Sequence, residues 1–233
     1  MESPVTIPIG KEQLRGTLAL PDHSKGVVLF AHGSGSSRLS PRNRYVAEVL
    51  QSGGIATLLF DLLTEEEEPV DEYSARLRFD IPFLARRLVL ATRWLLKRPE
   101  VRGLRVGYFG ASTGAGAALV AAAQLPEDIS AVVSRGGRPD LAGESLRSVR
   151  APTLLIVGGY DEQVIELNRG ALKMLGCSKK KMVIVPGATH LFEEPGTLEE
   201  VARVAAEWFT AHLPEAAAHP AAGGRKLETA SKR

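Results

Sequence analysis

The chain has 233 residues, of which 44% are hydrophobic and 24% are charged, as in an ordinary globular protein with one sizeable core. Its 29 basic and 27 acidic residues nearly cancel to a formal net charge of +2, so no whole-molecule field directs it to nucleic acid or to an anionic membrane. We therefore expect one α/β domain whose partner is a small molecule.

Short β-type runs open the chain and later alternate with helical patterns. Residues 5–9 and 14–20 predict two antiparallel strands around a turn at Gly10, and the apolar run 27–30 predicts a strand buried on both faces. Further strands are predicted at IATLLF, RVGYF, ISAVVS, PTLLIVG and KMVIVP. This alternation is typical of parallel βαβ units and indicates a mostly parallel sheet of about eight strands with helices on both faces.

Helices are predicted near 43–52, between the strands IATLLF and RVGYF, at 113–124 and from about 197 to 212. The second of these is expected to begin at Asp80 and to stop before Pro99. The acidic run 65–68 is interpreted as a solvated loop.

Since no insertion is long enough for a cap domain, we expect an open site. We expect an α/β domain at 1–213 and a flexible tail at 214–233, where Ala, Gly and charged residues dominate.

A serine lies in the pattern G-x-S-x-G between the predicted strand RVGYF and the helix that follows. The segment is Gly110-Ala111-Ser112-Thr113-Gly114. In a nucleophile elbow the serine occupies a strained turn, and the flanking glycines avoid collisions with neighbouring elements. The pattern alone is weak in a chain with 23 glycines, so its strand–turn–helix setting carries the prediction that Ser112 is a nucleophile.

A serine nucleophile needs a base that takes its proton and an acid that orients the base. His190 follows the strand KMVIVP and Asp161 follows PTLLIVG, so both lie beyond the carboxyl ends of parallel strands, where open α/β sheets place their sites. The chain order Ser112, Asp161, His190 is the order that nucleophile-elbow enzymes use. Asp161 could instead cap the helix after it, and Asp140 is the reserve acid.

Acyl transfer also needs two backbone N–H groups aimed at the developing oxyanion. One is expected from Thr113, directly after the nucleophile, and the other from the loop HGSGS that follows the early buried strand. We predict Ser34 as this second donor, with Gly35 and Ser36 as alternatives, and Gly35 is also a candidate for substrate contact. His32 is expected to hold the loop by hydrogen bonding and not to transfer protons.

Arginines at the same predicted edge bear on the charge of the substrate. They are Arg38, Arg42 and Arg44 after the HGSGS loop, and Arg135 and Arg138 after ISAVVS. Because a guanidinium group matches the geometry of a carboxylate, Arg135 is a candidate contact for an anionic acyl or leaving group, with surface solubility as the alternative. No histidine or carboxylate cluster has zinc-ligand spacing, so no metal is expected.

The segments FAHGSGSS, GASTG, GGYDEQV and GATHLF resemble the α/β-hydrolase superfamily and, within it, the dienelactone hydrolase family, over nearly all of 5–213. The resemblance implies hydrolysis of an ester or related acyl bond through an acyl-enzyme, without a cofactor. The namesake enzymes carry cysteine where this chain has Ser112, so dienelactone is not carried over as the substrate. The chain also resembles hydrolase domains fused to phosphoribosyltransferases, but it lacks a phosphate-cradling loop, so no transferase activity is expected.

Location and reaction follow from the remaining signals. The first residues lack a basic segment followed by an apolar stretch, the apolar segment 79–98 is interrupted by arginines, and Cys177 has no cysteine partner. We expect a cytoplasmic protein that binds neither nucleic acid nor membrane and hydrolyses a small carboxylic ester. Thioester and peptide cleavage use the same groups, and a binding module without catalysis is the alternative from another class. The oligomeric state stays open.

Overall fold

Eight strands form one sheet in the computed structural model, which describes residues 2–213; the tail predicted at 214–233 lies outside the described residues. The strands are β1 (Glu2–Ile9), β2 (Glu12–Ala19), β3 (Gly26–Ala31), β4 (Ala56–Phe60), β5 (Arg105–Ala111), β6 (Ile129–Arg135), β7 (Thr153–Gly158) and β8 (Lys180–Val185). Their spatial order is β1-β2-β4-β3-β5-β6-β7-β8. The β1–β2 and β2–β4 pairs are antiparallel and all the others are parallel, which confirms the predicted sheet.

Six helices flank this sheet in the described part of the chain. They are α1 (Pro41–Ser52), α2 (Glu67–Ser74), α3 (Ile81–Leu96), α4 (Thr113–Gln124), α5 (Glu162–Met174) and α6 (Thr197–His212), and short 3₁₀ segments occur at Pro99–Val101 and Pro139–Ser148. Asp80 begins α3 as predicted, because its carboxylate accepts the N–H of Phe83 at 2.9 Å. Within residues 2–213 no insertion forms a cap domain, and none of the described helices is long and apolar enough to cross a membrane.

The acidic run 65–68 differs from the predicted loop, because α2 begins within it. Thr64 and Glu67 form a capping box: the Glu67 N–H donates to Thr64 Oγ1 at 3.2 Å, and the Thr64 N–H donates to the Glu67 carboxylate at 2.8 Å. Glu67 also pairs with Arg87 of α3. The T-x-x-E spacing is the signal that marks this helix start.

Alternate residues of β3 enter two cores, which explains its continuous apolar run. Val27, Leu29 and Ala31 pack in the core under α3 and α4, whereas Val28 and Phe30 pack in the core under α1 and α6. All six residues of β3 are buried. A strand covered by helices on both faces has no polar side, as the sequence predicted.

The contact between α4 and the sheet is so close that it admits only glycine at two positions. A Cβ atom on Gly114 would lie 2.2 Å from the carbonyl oxygen of Ala31, and one on Gly110 would lie 2.5 Å from the Cα of Ala115. Both neighbours are backbone atoms, which cannot rotate out of the way. The start of α4 is therefore pressed against the carboxyl ends of β3 and β5.

Substitutions of two helical glycines test this packing. Gly114→Ala should lower the free energy of unfolding by about 3 kcal/mol or more, because its methyl group would overlap a backbone carbonyl. Gly170→Ala in α5 is the control, since Gly170 is exposed and a Cβ there meets nothing within 4 Å. Alanine is the better helix former, so this variant should gain about 0.5–1 kcal/mol. Urea denaturation measures both changes, and equal stabilities would contradict the close contact.

Candidate active site

Ser112 occupies the turn between β5 and α4 with φ 49° and ψ −122°, a conformation that non-glycine residues rarely adopt. Three backbone hydrogen bonds hold it there. Its N–H donates to the carbonyl of Arg135 at 3.3 Å, and its own carbonyl accepts the N–H groups of Ala115 at 3.1 Å and Arg138 at 3.0 Å. The strained turn is thus fixed by the neighbouring strand β6 and the loop that follows it.

His190 and Asp161 converge on Ser112 from the loops after β8 and β7. His190 Nδ1 lies 2.6 Å from Asp161 Oδ2, and His190 Nε2 lies 3.4 Å from Ser112 Oγ. With Nδ1–H donating to the carboxylate, the Nε2 lone pair faces the hydroxyl, which is the orientation a general base needs. The distance between His190 Nε2 and Ser112 Oγ is long for a hydrogen bond, but such catalytic hydrogen bonds often shorten when a substrate is bound. The His190 side chain is 38% exposed, so the site is open to small molecules.

The two acids that the sequence offered behave differently. Asp161 stands at the N-terminal cap position of α5, but its side chain makes no capping hydrogen bond and is directed to His190 instead. Asp140 forms a bidentate ion pair with Arg138, at 2.9 and 2.8 Å. The geometry therefore places Asp161 with the histidine and leaves the reserve acid engaged elsewhere.

The loop that carries His190 is pinned by a carboxylate that the sequence interpretation missed. Thr189 donates both its N–H and its hydroxyl to Glu194, at 3.1 and 2.6 Å. These hydrogen bonds hold the pKa of Glu194 below its usual value. Phe192, buried at the centre of the same loop, has a positive φ of 55°. The signal for this loop is the short T-x₄-E spacing, which allows a side chain to close a turn.

Arg135, the candidate substrate contact, has a buried side chain with partners inside the protein. Its side chain is buried, donates to Asn43 of α1 at 2.9 Å, and lies 5.9 Å from the centre of the Phe192 ring. Burial, together with the nearby charge of Arg42, lowers the pKa of Arg135 to about 10. The side chain lies there because the last residue of β6 shares the strand face of Val133, which packs under α1 and α6. A contact between Arg135 and a substrate stays a prediction. Arg135 supports the His190 loop from below.

The other arginines of that group include three that meet protein carboxylates. Arg38 pairs with Asp61, Arg42 with Glu193 and Arg138 with Asp140. Three of the guanidinium groups that were candidates for an anionic substrate are thus paired with carboxylates of the protein itself.

The loop HGSGS passes directly against the elbow. A Cβ atom on Gly33 would lie 3.0 Å from the Cβ of Ser112, and Gly35 has a positive φ of 66°. The Ser34 N–H, predicted as an oxyanion donor, donates to Oγ1 of Thr113 at 2.9 Å. Thr113 is the first residue of α4, so its own N–H has no partner within the helix.

His32 anchors this loop as a neutral ring. Its Nδ1 lies 3.0 Å from the carbonyl of Gly33, to which it donates, and its Nε2 accepts the N–H of Leu62 at 3.0 Å. An imidazole that donates through one nitrogen and accepts through the other carries no charge. Burial lowers the pKa of His32 and keeps it in this form. Its role is structural, as expected from the sequence.

A cleft flanks the HGSGS loop on the side of α2 and α3. Its wall includes Asp71, which is fully buried and accepts the N–H of Leu77 at 2.6 Å and both the N–H and Nε of Arg78, at 3.1 and 2.7 Å. Burial alone would raise the pKa of Asp71, but the hydrogen bonds from Arg78 and the backbone outweigh it and lower the pKa. Among the described residues no cluster of histidine, cysteine and carboxylate side chains could hold a metal ion.

Comparisons with known proteins give a matching family and several relatives. The model of the dienelactone hydrolase family matches residues 14–213. A Mycobacterium tuberculosis protein, provisionally named a phosphoribosyl transferase, is 60% identical over 209 residues, which are 90% of this chain and 46% of that protein. The chain thus spans about half the length of these curated relatives.

Two solved structures resemble this chain in fold. A dienelactone hydrolase from Anabaena variabilis is 62% identical, with a TM-score of 0.89 over 91% of this chain and 98% of its own. Est1E from Butyrivibrio proteoclasticus is 16% identical, with a TM-score of 0.76 over 90% of this chain and 98% of its own, and at that identity the likeness concerns the fold alone.

The neutral form of His32 predicts a pH dependence of stability. Because burial lowers its pKa in the folded protein, the unfolded chain binds the proton more readily, and the free energy of unfolding should fall as the pH drops below about 6.5, the value of a free histidine. Above that pH the contribution is constant. Urea denaturation across this range should give a flatter profile for His32→Asn than for the wild type. His23→Asn, at an exposed turn residue, should keep the wild-type profile; parallel profiles for His32→Asn and the wild type would contradict the assignment.

Proposed function

The chain belongs to the dienelactone hydrolase family, and from this membership we infer that it is a serine hydrolase that cleaves a carboxylic ester of a small molecule. The main support is the chain of hydrogen bonds that joins the Asp161 carboxylate to His190 and His190 to the Ser112 hydroxyl. A serine in a strained strand-to-helix turn, with a base at its hydroxyl and an acid behind the base, is the arrangement that acyl transfer requires.

Acylation begins when Ser112 Oγ attacks the carbonyl carbon of the ester and His190 Nε2 takes the hydroxyl proton. The carbonyl π electrons move to its oxygen, and the resulting imidazolium is stabilised by the Asp161 carboxylate. When the tetrahedral intermediate collapses, the bond to the leaving alkoxide breaks and His190 returns the proton to it. A water molecule then repeats the sequence on the acyl-enzyme, so that a carboxylic acid leaves and Ser112 regains its proton.

The start of α4 contributes to this chemistry through its dipole. Ser112 stands at the N-terminal cap of the helix, and the positive end of a helix dipole stabilises negative charge that develops beside it. The backbone N–H of Thr113 is the donor closest to the nucleophile in sequence. Removal of one oxyanion donor typically slows acyl transfer by about 10²–10³.

An ester is our preferred substrate class because the described residues form no cap over the site, which leaves room for accessible small esters. Thioesters and peptides remain second candidates, since the same groups cleave them. The phosphoribosyl transferase name belongs to a relative of which this chain spans 46%, and we do not propose that activity here.

Labelling with a fluorophosphonate probe tests the nucleophile. The wild type should be labelled at Ser112, and Ser112→Ala should lose both the label and the hydrolysis of p-nitrophenyl esters. Thioester and peptide substrates in the same screen rank the alternatives. A folded wild type that takes no label would favour a non-catalytic binding module and would overturn the proposed function.

The role of Asp161 in orienting His190 can be tested with Asp140 as a matched control. Asp161→Asn should reduce kcat by about 10³–10⁴, because the amide favours the wrong tautomer of the imidazole. Asp140→Asn makes the same chemical change at a residue paired with Arg138, and should leave kcat near the wild-type value. Steady-state kinetics on one ester distinguishes the two variants; equal losses would mean that Asp161 has no special role.

Substrate charge can be tested at Arg138. Because its guanidinium is held by Asp140, Arg138→Ala should change kcat/KM for neutral and anionic esters of equal size by the same factor. A loss confined to the anionic ester would restore the hypothesis of an anionic substrate.

A further inference from the structure

The oxyanion loop and the first residue of α4 are joined by a hydrogen bond that spans 79 positions in the chain. The Ser34 N–H donates to Oγ1 of Thr113 at 2.9 Å. This N–H is the group that the fold would ordinarily direct at the oxyanion. Here it donates to a side-chain hydroxyl instead.

The Thr113 hydroxyl is close to the other oxyanion donor by covalent geometry alone. Oγ1 is three bonds from the nitrogen of the same residue, so the two atoms are separated by about 3–4 Å in any rotamer. Thr113 is 5% exposed, which leaves little water to compete for its hydroxyl. In the described part of the chain Oγ1 accepts one hydrogen bond and donates its own hydrogen to no acceptor.

We propose that the Thr113 hydroxyl is itself a donor of the oxyanion hole, and that the Ser34 N–H acts through it. This rests on the proposed function. The oxyanion would then accept two hydrogen bonds from one residue, the N–H and the O–H of Thr113. Donation from Ser34 polarises the hydroxyl and strengthens the bond that it gives, as in other hydrogen-bond chains. The proton stays on Thr113 throughout, so His190 remains the only group that transfers one.

The surrounding structure fixes the hydroxyl in this place. The backbone of Thr113 follows the strained turn of Ser112, and a Cβ on the next residue, Gly114, would collide with the carbonyl of Ala31. Threonine is β-branched, which restricts the rotation of its side chain at the start of a helix. A donor that is already oriented before the charge develops needs no rearrangement when the reaction occurs.

Three substitutions at position 113 test the proposal. Thr113→Val keeps the shape and removes the hydroxyl, and Thr113→Ala removes both the hydroxyl and the methyl group. We expect both to reduce kcat/KM for a p-nitrophenyl ester by about 10²–10³, mostly in kcat. Thr113→Ser retains the hydroxyl and should stay within about tenfold of the wild type, well above the other two. Thermal unfolding confirms that each variant is folded.

A contrary result is well defined. Suppose instead that the Ser34 N–H donates directly to the oxyanion during the reaction, and that Thr113 Oγ1 only accepts this N–H in the free enzyme. Thr113→Ala would then release the Ser34 N–H for the oxyanion, and activity would be unchanged or higher. This outcome would overturn the proposal.

Inhibition by a trifluoromethyl ketone, which forms a tetrahedral oxyanion on serine, gives a second readout. Its inhibition constant should weaken in Thr113→Val and Thr113→Ala by nearly the same factor as kcat/KM, and an unchanged constant would count against the proposal.

The proposal and the underlying function fail in different ways. A wild type that is folded but takes no fluorophosphonate label would remove the serine hydrolase function itself. A wild type that is labelled and hydrolyses esters, together with a fully active Thr113→Val, would leave the function intact and remove only the role of the Thr113 hydroxyl.

Discussion

The close approach of α4 to β3 and β5 is the constraint on which the site depends. It requires glycine at 110 and 114, because side chains there would overlap backbone atoms of neighbouring elements. The same approach forces Ser112 into its strained turn and brings the first residue of α4 against the loop after β3. A helix one residue later, or a wider gap, would separate Ser112 from the groups that stabilise the oxyanion in the proposed mechanism.

The loops at this edge are held by buried or paired carboxylates. Asp61 holds Arg38, Asp71 accepts three N–H groups near the oxyanion loop, and Glu194 closes the turn that carries His190. A cap domain would immobilise such loops by packing. Without one, charge-assisted hydrogen bonds to backbone N–H groups provide the rigidity that a preorganised site needs.

Sequence patterns predicted what is local and missed what depends on distant contacts. The apolar run of β3 and the small-residue helix α4 follow from periodicity, and both were predicted within a residue or two. The start of α2 was missed although its T-x-x-E spacing is local. The partners of Arg135 were not predicted, because they lie in α1 and in the loop after β8, far from β6 in the sequence. The bond from Ser34 to Thr113 has no sequence signal, since it depends on how two loops pack.

Serine at position 112 makes the rest of the site more demanding than cysteine would. A cysteine next to a histidine can ionise before the substrate arrives, because its thiol has a free pKa near 8.5. A serine hydroxyl does not ionise in that way, so its proton must leave while the new bond forms, and the negative charge appears on the substrate oxygen at the same moment. The orientation of His190 and the donors around Thr113 therefore contribute together to one step. Under the proposed mechanism, a chain with serine at this position therefore relies more heavily on donors that are in place before the reaction begins.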